Sequence, residues 1–547
     1  MAETDVPVLV VGAGPVGLLG ARLLARRGID VLVAEKHAKP LDAPKAHALN
    51  PRSLEICASA GLPMKALHEA ATPTAQGASV RMMATLTTHE IGVLPYERQD
   101  EAVRALTPWP LINIQQPRFE ALLEEAARSE SRVTIRRGLE WLGCSHDAEG
   151  VVSVLRDRTT GEEHRVRARY LIAADGANSD VRRALDIAMD GPEVLQHHVM
   201  IHFEADLTRV VGDRPSILYF LFGPAAGVFI AYDIAKTWVL MHPHDPASAP
   251  LETFTDAVCR TIVDTAVGTP VPDMAIRGVR SWAMSAQVAA RYRQGRAFLA
   301  GDAAHRFPPT GGLGLNTGIA DIDNLAWKIA AVEKGWAGPG LLDTYEAERR
   351  TVAQVNMNQS LTNAMRMFAL FQALGCMPGQ IVPADEFAAR LADPARRPEI
   401  EAAVEHQRDH FDSLRLQLGY AYGDALKDDD ARPVSDFRPR AVPGARLPHV
   451  PLAEGRSTLD GVEHGAFTLL HAGPAAAWDK VSTALPVTLV ALDQAAAQSL
   501  GIAPAGALLL RPDAHILARA EAPRGAGEMI AAANKLLGLV PATNGAA

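Results

Sequence analysis

The segment that most restricts how this chain can fold spans residues 6–35. Positions 6–11 are an apolar, valine-rich run that reads as a fully buried strand. Gly12-Ala13-Gly14-Pro15-Val16-Gly17 follows, then residues 18–27 with helical spacing of their apolar side chains. Residues 31–35 form a second buried strand that closes on Glu35, eighteen positions after Gly17. This is the βαβ arrangement that binds a dinucleotide. Its glycines serve the turn, the approach of a pyrophosphate and the packing of the helix, and its acid takes the ribose hydroxyls. It fixes an α/β, Rossmann-like start but leaves the dinucleotide open.

A second stretch, 296–332, repeats the logic far along the chain. Residues 297–300 are an apolar strand stopped by Gly301-Asp302, and 305–318 reads as a loop rich in proline and glycine. Gly311, Gly312, Gly314 and Gly318 fall within eight residues. A helix follows, apolar at Ile319, Ile322, Leu325, Ala326 and Ile329. Free N–H groups at its start suit an anion or an electron-rich ring. A third acid, in Asp175-Gly176, ends another apolar run at 170–174. In a doubly wound sheet, ligands lie beyond the carboxyl ends of the strands, so three such motifs can converge on one long ligand. The first motif suits ADP; the last suits a polyol and a ring carbonyl. A flavin fits, because a helix dipole stabilises the negative charge of its reduced ring.

The 547 residues suggest two to four domains, and a formal charge of −9 with no Lys/Arg run gives no sign of a nucleic-acid partner. No run approaches eighteen consecutive apolar residues, so no membrane span is expected. The polar first seven residues do not read as a secretory signal. Cys57, Cys144, Cys259 and Cys376 lie far apart, which argues against zinc and disulfides and fits a reducing cytoplasm. No residue is a clear metal ligand.

Between the motifs, a polar loop leads to a helix starting near Pro51. Its Lys45 and Arg52 either face phosphates or lie on solvated surface. Another helix opens at Gln116. Residues 133–135, 139–145, 151–156 and 163–166 read as strands, with a hairpin turn at 159–161. Strand-like segments at 199–205, 217–222, 228–232 and 238–241 predict a largely antiparallel sheet. That wall carries Phe203, Tyr219, Phe220, Phe222, Phe229 and Tyr232, and alternate residues of each strand would face a pocket. Residues 343–350 read as a charged helix, 352–420 as helical and 427–443 as a linker. Strands at 467–470, 487–492 and 507–510 with a helix at 525–537 predict a small α/β domain.

On Gly12-x-Gly14-x-x-Gly17, Asp175-Gly176-x-x-Ser179-x-x-Arg182, and Gly301-Asp302-Ala-Ala-His305 through Pro308-Pro309, Gly311-Gly312, Gly314, Asn316, Gly318 and Asp321, the chain resembles the class A flavoprotein aromatic hydroxylases. These include p-hydroxybenzoate hydroxylase, phenol 2-monooxygenase, chlorophenol monooxygenases and polyketide hydroxylases. The resemblance implies a discontinuous, Rossmann-like FAD-binding domain (1–75, 98–197 and 286–350) and an antiparallel-sheet substrate domain (76–97 and 198–285). It also implies a helical segment (351–430) and a thioredoxin-like C-terminal domain (441–547), here without cysteine.

The resemblance places Gly12, Gly14 and Gly17, with Pro15 and Val16, along the FAD pyrophosphate, and Glu35 with Lys36 at the adenosine ribose. Lys45 stands near the pyrophosphate where the family commonly has Arg; lysine keeps the charge without the bidentate fork. Gln116 would contact the flavin chain. Asp175 belongs to a motif associated with FAD and nicotinamide contacts. Gly301 and Asp302 would reach the ribityl or pyrophosphate region. Pro309, Gly312, Gly314, Leu315 and Asn316 would line the isoalloxazine, and His305 would be structural or near the phosphates.

His47 is the candidate catalytic base, in the place where phenol 2-monooxygenase has an acid; the alternative is a loop histidine bonded to backbone. The implied reaction reduces FAD with transiently bound NADPH or NADH. Oxygen adds to give a C4a-hydroperoxide, whose distal oxygen goes to a phenolic or polycyclic aromatic substrate. Baeyer–Villiger oxidation or epoxidation on the same scaffold and a non-catalytic, GDI-like carrier are the alternatives. The W-x-W-x-I-P signature of flavin halogenases is absent. A homodimer is common in relatives.

Overall fold

The computed structural model describes residues 3–40, 46–223, 226–377, 380, 382–425 and 432–539. Strand Glu3–Val11 runs through the middle of an eight-stranded sheet, with Val8, Leu9 and Val10 fully buried. Val31–Glu35 and Val133–Arg137 add on one side, Glu163–Ala173 and Ala297–Leu299 on the other, all parallel. Helices Pro15–Arg26 and Leu313–Glu333 pack on this sheet through Leu18, Leu19, Ile319 and Ile322. The chain leaves the central strand in opposite directions, so the carboxyl ends of Glu3–Val11 and Glu163–Ala173 border a crevice.

Two readings from the sequence change. The strands expected at 163–166 and 170–174 are one strand, Glu163–Ala173. Its first half bonds antiparallel to Val151–Asp157, while it runs parallel to Glu3–Val11 from Arg165 to Ala173. Arg167 and Arg169 point outward between buried neighbours and hid the continuity. The helix expected after Gly318 begins at Leu313, so Gly314 and Gly318 are helical. A Cβ at Gly318 would lie 2.8 Å from Val16 Cγ2 and 2.9 Å from Gly301 Cα. Glycine here permits a helix–turn contact that any side chain would wedge apart.

The second sheet has seven strands in the order Ala275–Met284, Gln196–Glu204, Thr237–Pro243, Gly227–Asp233, Leu218–Leu221, Ser79–Thr85 and Thr88–Pro95. Only Leu218–Leu221 with Ser79–Thr85 is parallel. One face packs on helix Asp256–Val267. The other faces the crevice and is closed by the 31-residue helix Asp343–Ala373. Neither Ala275–Met284 nor Asp256–Val267 had been picked out in the sequence.

A four-stranded sheet, Val487–Ala491, Phe467–His471, Ala507–Leu510 and Ile516–Ala520, forms the C-terminal unit with helix Ala526–Leu536. It docks on the back of helix Leu313–Glu333, where Trp327 and Ala331 join Phe467, Leu469 and Trp478 in one apolar cluster. Buried charges reinforce the seam. Arg446 forks onto Glu55, and Arg511 bonds Glu348 at 2.6 Å and Asp513 at 2.6 Å. Arg52 belongs to this seam, donating to Asp323 at 3.2 Å and to the Asp513 carbonyl at 2.8 Å. It is buried, so neither the phosphate nor the surface reading holds for it. No helix among the described residues is long and apolar enough to cross a membrane.

Candidate functional site

The crevice opens into a cavity of about 1300 Å³ between the two sheets. Its floor is built from backbone. Gly12, with φ +105°, lets the first turn press against the end of the neighbouring strand: a Cβ there would lie 2.3 Å from Ala174 O and 3.0 Å from Asp175 Cα. The first glycine turn and the Asp175-Gly176 turn are thereby in contact. Gly301 stands against Val16 in the same way, 3.0 Å from a Cβ to Val16 Cγ2. The three motifs separated by up to 290 residues thus share one rim.

Two helix N-termini face this cavity. Pro15–Arg26 is capped by Gly14 and Leu313–Glu333 by Gly312, and neither cap supplies a side-chain hydrogen bond. Their first N–H groups are therefore available to a ligand. Methyl groups added to Gly14, Gly176 or Gly314 would meet no atom within 4 Å. Half-buried Asp175 accepts from Val181 N at 3.2 Å through Oδ2, while its buried Oδ1 has no hydrogen-bond partner among the described residues. Burial pushes this carboxyl above the usual range, opposed by the Ser179 hydroxyl and the Val181 N–H. Open space above glycines, two uncapped helix starts and an unsatisfied acid fit a long anionic ligand with a planar head, such as FAD.

Gly12, Gly14, Pro15, Val16, Glu35, Lys36, Gln116, Asp175, Gly301, Asp302, Pro309, Gly312, Gly314 and Leu315 all line the cavity. Glu35 braces the first turn, accepting from Ala13 N at 2.9 Å and His37 N at 2.8 Å. Gln116 accepts from Ala46 N at 3.2 Å and so steadies the loop that carries His47.

Three expectations are corrected or fall outside. Gly17 lies behind the rim, where a Cβ would meet Gly12 O at 2.0 Å; it packs the helix onto the turn. Asn316 is buried and spends its amide inside the protein. It accepts from Asn50 N at 2.9 Å and Ser53 Oγ at 2.7 Å, and donates to Ala48 O and Gly312 O. It bolts the His47 loop to the helix start instead of lining the cavity. Lys45 lies outside the described residues. His305 is structural: fully buried, it bonds Asp321 Oδ2 at 2.8 Å, and Asp321 also holds Arg349 at 2.9 Å.

His47 lies half-buried on the cavity wall, beside the short strand pair Ala48–Leu49 and Ile112–Asn113. Its Nδ1 is 2.9 Å from Asn113 Oδ1, and Asn113 Nδ2 donates to Gly77 O at 3.3 Å. The amide orientation makes Asn113 an acceptor toward His47. Nδ1 therefore carries the proton, and Nε2 keeps its lone pair. Burial lowers the imidazole pKa below its ordinary value, opposed by the Asn113 bond. The ring is thus neutral and basic at pH 7, and its side-chain partner is Asn113, not backbone. Asn113 was not picked out in the sequence, where it sits among the apolar Leu111, Ile112 and Ile114.

The sheet supplies the opposite wall. Gln196, His198 and Met200 lie opposite Met284, Trp282 and Arg280 in register, and all six face the cavity. His198 stacks on Trp282 at 5.0 Å, and burial with neighbouring histidines pushes it down to about 4. Phe220 and Phe222 line the cavity, whereas Phe203, Tyr219 and Phe229 pack on the sheet's other face. Tyr232 is buried beside His47, ring to ring at 6.2 Å. Leu361, Ala364, Met365, Phe368 and Phe371, at helical spacing on Asp343–Ala373, close the top.

The chain matches the family described as FAD binding domain over residues 5–360, and the family described as aromatic-ring hydroxylase, C-terminal, over residues 440–539. It is 33% identical to 2,4-dichlorophenol 6-monooxygenase of Cupriavidus pinatubonensis (strain JMP 134 / LMG 1197), covering 98% of this chain and 96% of that one. It is 32% identical to tetracenomycin A2 monooxygenase-dioxygenase of Streptomyces glaucescens, covering 100% and 99%. Among solved structures, the flavin-dependent monooxygenase PieE in complex with FAD and substrate superposes with a TM-score of 0.92. It is 32% identical, over 98% of this chain and 99% of that one.

Proposed function

The chain belongs to the FAD-dependent aromatic-ring hydroxylases, and from that premise we propose that it oxygenates a phenolic or polycyclic aromatic substrate with O2 and electrons from NADPH or NADH. As a monooxygenase it is not a carrier of the GDI type. The observation that carries the substrate reading is the placement of His47, whose Nε2 has no hydrogen-bond partner among the described residues, on the wall of the cavity that holds the glycine-rich rim.

In this reading the N–H groups of Gly14 and Val16 would hold the pyrophosphate and Glu35 the adenosine ribose, with Lys36 nearby. Asp302 takes the ribityl hydroxyls, and the start of Leu313–Glu333 faces the ring's pyrimidine edge. The bound flavin supplies oxygen activation after reduction by the nicotinamide nucleotide. The protein's own part is positioning and proton transfer. The sheet and the 343–373 helix hold the aromatic ring and exclude water, and His47 Nε2 takes the phenolic proton. The four free cysteines suit a reducing cytoplasm.

The test is the FAD-loaded chain against a panel of phenols, following NADPH and NADH oxidation, peroxide and product. The expected result is phenol-dependent oxidation with a hydroxylated product. A flavin-loaded protein that responds to no phenol would contradict it.

A further inference from the structure

We infer that Tyr96 donates the hydrogen bond that holds the substrate's phenolic oxygen beside His47, an inference resting on the aromatic-monooxygenase reading of this cavity. Tyr96 follows strand Thr88–Pro95, where the chain leaves the sheet and crosses to the flavin-binding side. The residue is only 4% exposed, yet it lines the cavity. Its hydroxyl makes no hydrogen bond to a described residue. That hydroxyl would lie 3.8 Å from a Cβ on Gly312, the cap of the helix that faces the flavin ring. The Tyr96 and His47 rings are 6.0 Å apart, tilted by 34°. A hydroxyl and an imidazole nitrogen, neither with a hydrogen-bond partner among the described residues, thus share one patch of wall at the helix start.

The backbone behind Tyr96 is held in an unusual shape. Glu97 (φ +52°) and Arg98 (φ +41°) both occupy the left-handed region, which non-glycine residues rarely adopt. Strain of this kind persists only where the surroundings enforce it, and it gathers at functional sites. Here the enforcement is visible. Glu97 N donates to Phe411 O at 2.6 Å, and the buried Glu97 carboxyl accepts from Ser413 N, Ser413 Oγ and Gln417 Nε2. Tyr96 N donates to Ala78 O at 2.9 Å on the other side. The grip fixes a tyrosine whose hydroxyl bonds none of the described residues.

The chemistry gives that hydroxyl a partner. When the substrate's O–H bond breaks, the proton goes to His47 Nε2 and the electron pair stays on oxygen. The phenolate oxygen then accepts from the Tyr96 O–H, which keeps its own proton because burial holds it well above its ordinary pKa. Negative charge is retained where it makes the ring carbons electron-rich.

The test uses Tyr96→Phe in the full, FAD-loaded chain. The probes are 2,4-dichlorophenol and 2,4-dichloroanisole, which share shape but differ in the ionisable oxygen, with binding read from the flavin absorption band. Because the hydroxyl bonds none of the described residues, its removal should leave the fold and flavin spectrum intact. Wild type should prefer the phenol to the ether. Tyr96→Phe should cut that preference by about tenfold or more, the worth of a hydrogen bond to a charged oxygen. It should also lower kcat for hydroxylation and divert more reduced nicotinamide to peroxide. An unchanged preference and unchanged coupling in the variant would overturn the inference while leaving the monooxygenase reading standing. Failure of flavin-loaded wild type to bind or respond to any phenol would instead remove that reading, and the inference with it.

Discussion

Asn113 decides what His47 can do. Because its amide is turned by Gly77 O, it presents an oxygen to Nδ1 and leaves Nε2 basic. His47→Gln should lower hydroxylation at pH 7 about a hundredfold, the usual worth of a positioned base. In wild type, kcat/KM should fall on the acid side below pH 6.5, since burial places the imidazole pKa under that value; the variant should lack this limb. Asn113→Leu should push the limb to still lower pH, because the Asn113 bond is what raises the pKa. Glu97 gives a stability signature of opposite sign. Burial raises its carboxyl to about 7 from 4.5. Its contribution to stability is therefore complete below pH 4.5 and lost as pH rises through 7. Between pH 5 and 8 wild type should lose up to about 3 kcal/mol more than Glu97→Gln in urea unfolding. At this scale Glu35, Asp175 and Asp302 were legible, because each acid ends an apolar strand. Arg52 and Asn316 were not, because their partners, Asp513 and Asn50, lie 461 and 266 residues away in sequence.

The helix Leu313–Glu333 faces the cavity on one side and packs on the other, and its glycines divide the work. Gly318→Ala would drive a methyl into Val16 and Gly301, costing about 1–3 kcal/mol in the flavin-free protein. Gly314→Ala meets nothing in the protein within 4 Å. It should leave flavin-free stability unchanged within about 1 kcal/mol, the helix propensity difference, yet weaken FAD. Denaturation of both variants with and without FAD separates the effects. The sequence read both glycines as loop because glycine usually breaks helices. The use of Gly318 appears only when the 301–302 turn is seen pressing on it. The sheet wall was read in part: its antiparallel character followed from alternation, but which aromatics faced the cavity did not. Phe220 and Phe222 face it because they share a side of the strand, and Tyr219, next to Phe220, goes to the other core.

Across the whole molecule, the C-terminal unit holds the cavity-lining helix Leu313–Glu333 from behind through buried ions and the Trp327 cluster. Arg511→Ala would remove the guanidinium shared by Glu348 and Asp513, leaving Glu348 to Lys328 alone among cations, and its cost should reach about 3 kcal/mol in chemical denaturation. Glu521→Ala, at an exposed pair with Arg519, should cost under about 1 kcal/mol. The unit's strands were readable from their apolar runs, but its seam was not: Arg446, Arg511 and Asp513 look like ordinary surface charges until the helix is laid against them. If the proposed function holds, one cavity takes the dinucleotide along its rim and the phenol against His47. A crystal structure of the chain with FAD and a bound phenol tests this most directly. The ribose should lie on Glu35, the ring edge against the N–H groups after Gly312, and the phenolic oxygen within hydrogen-bond reach of His47 Nε2. A flavin ring elsewhere than the start of Leu313–Glu333, or a phenol with its oxygen turned away from His47, would contradict it.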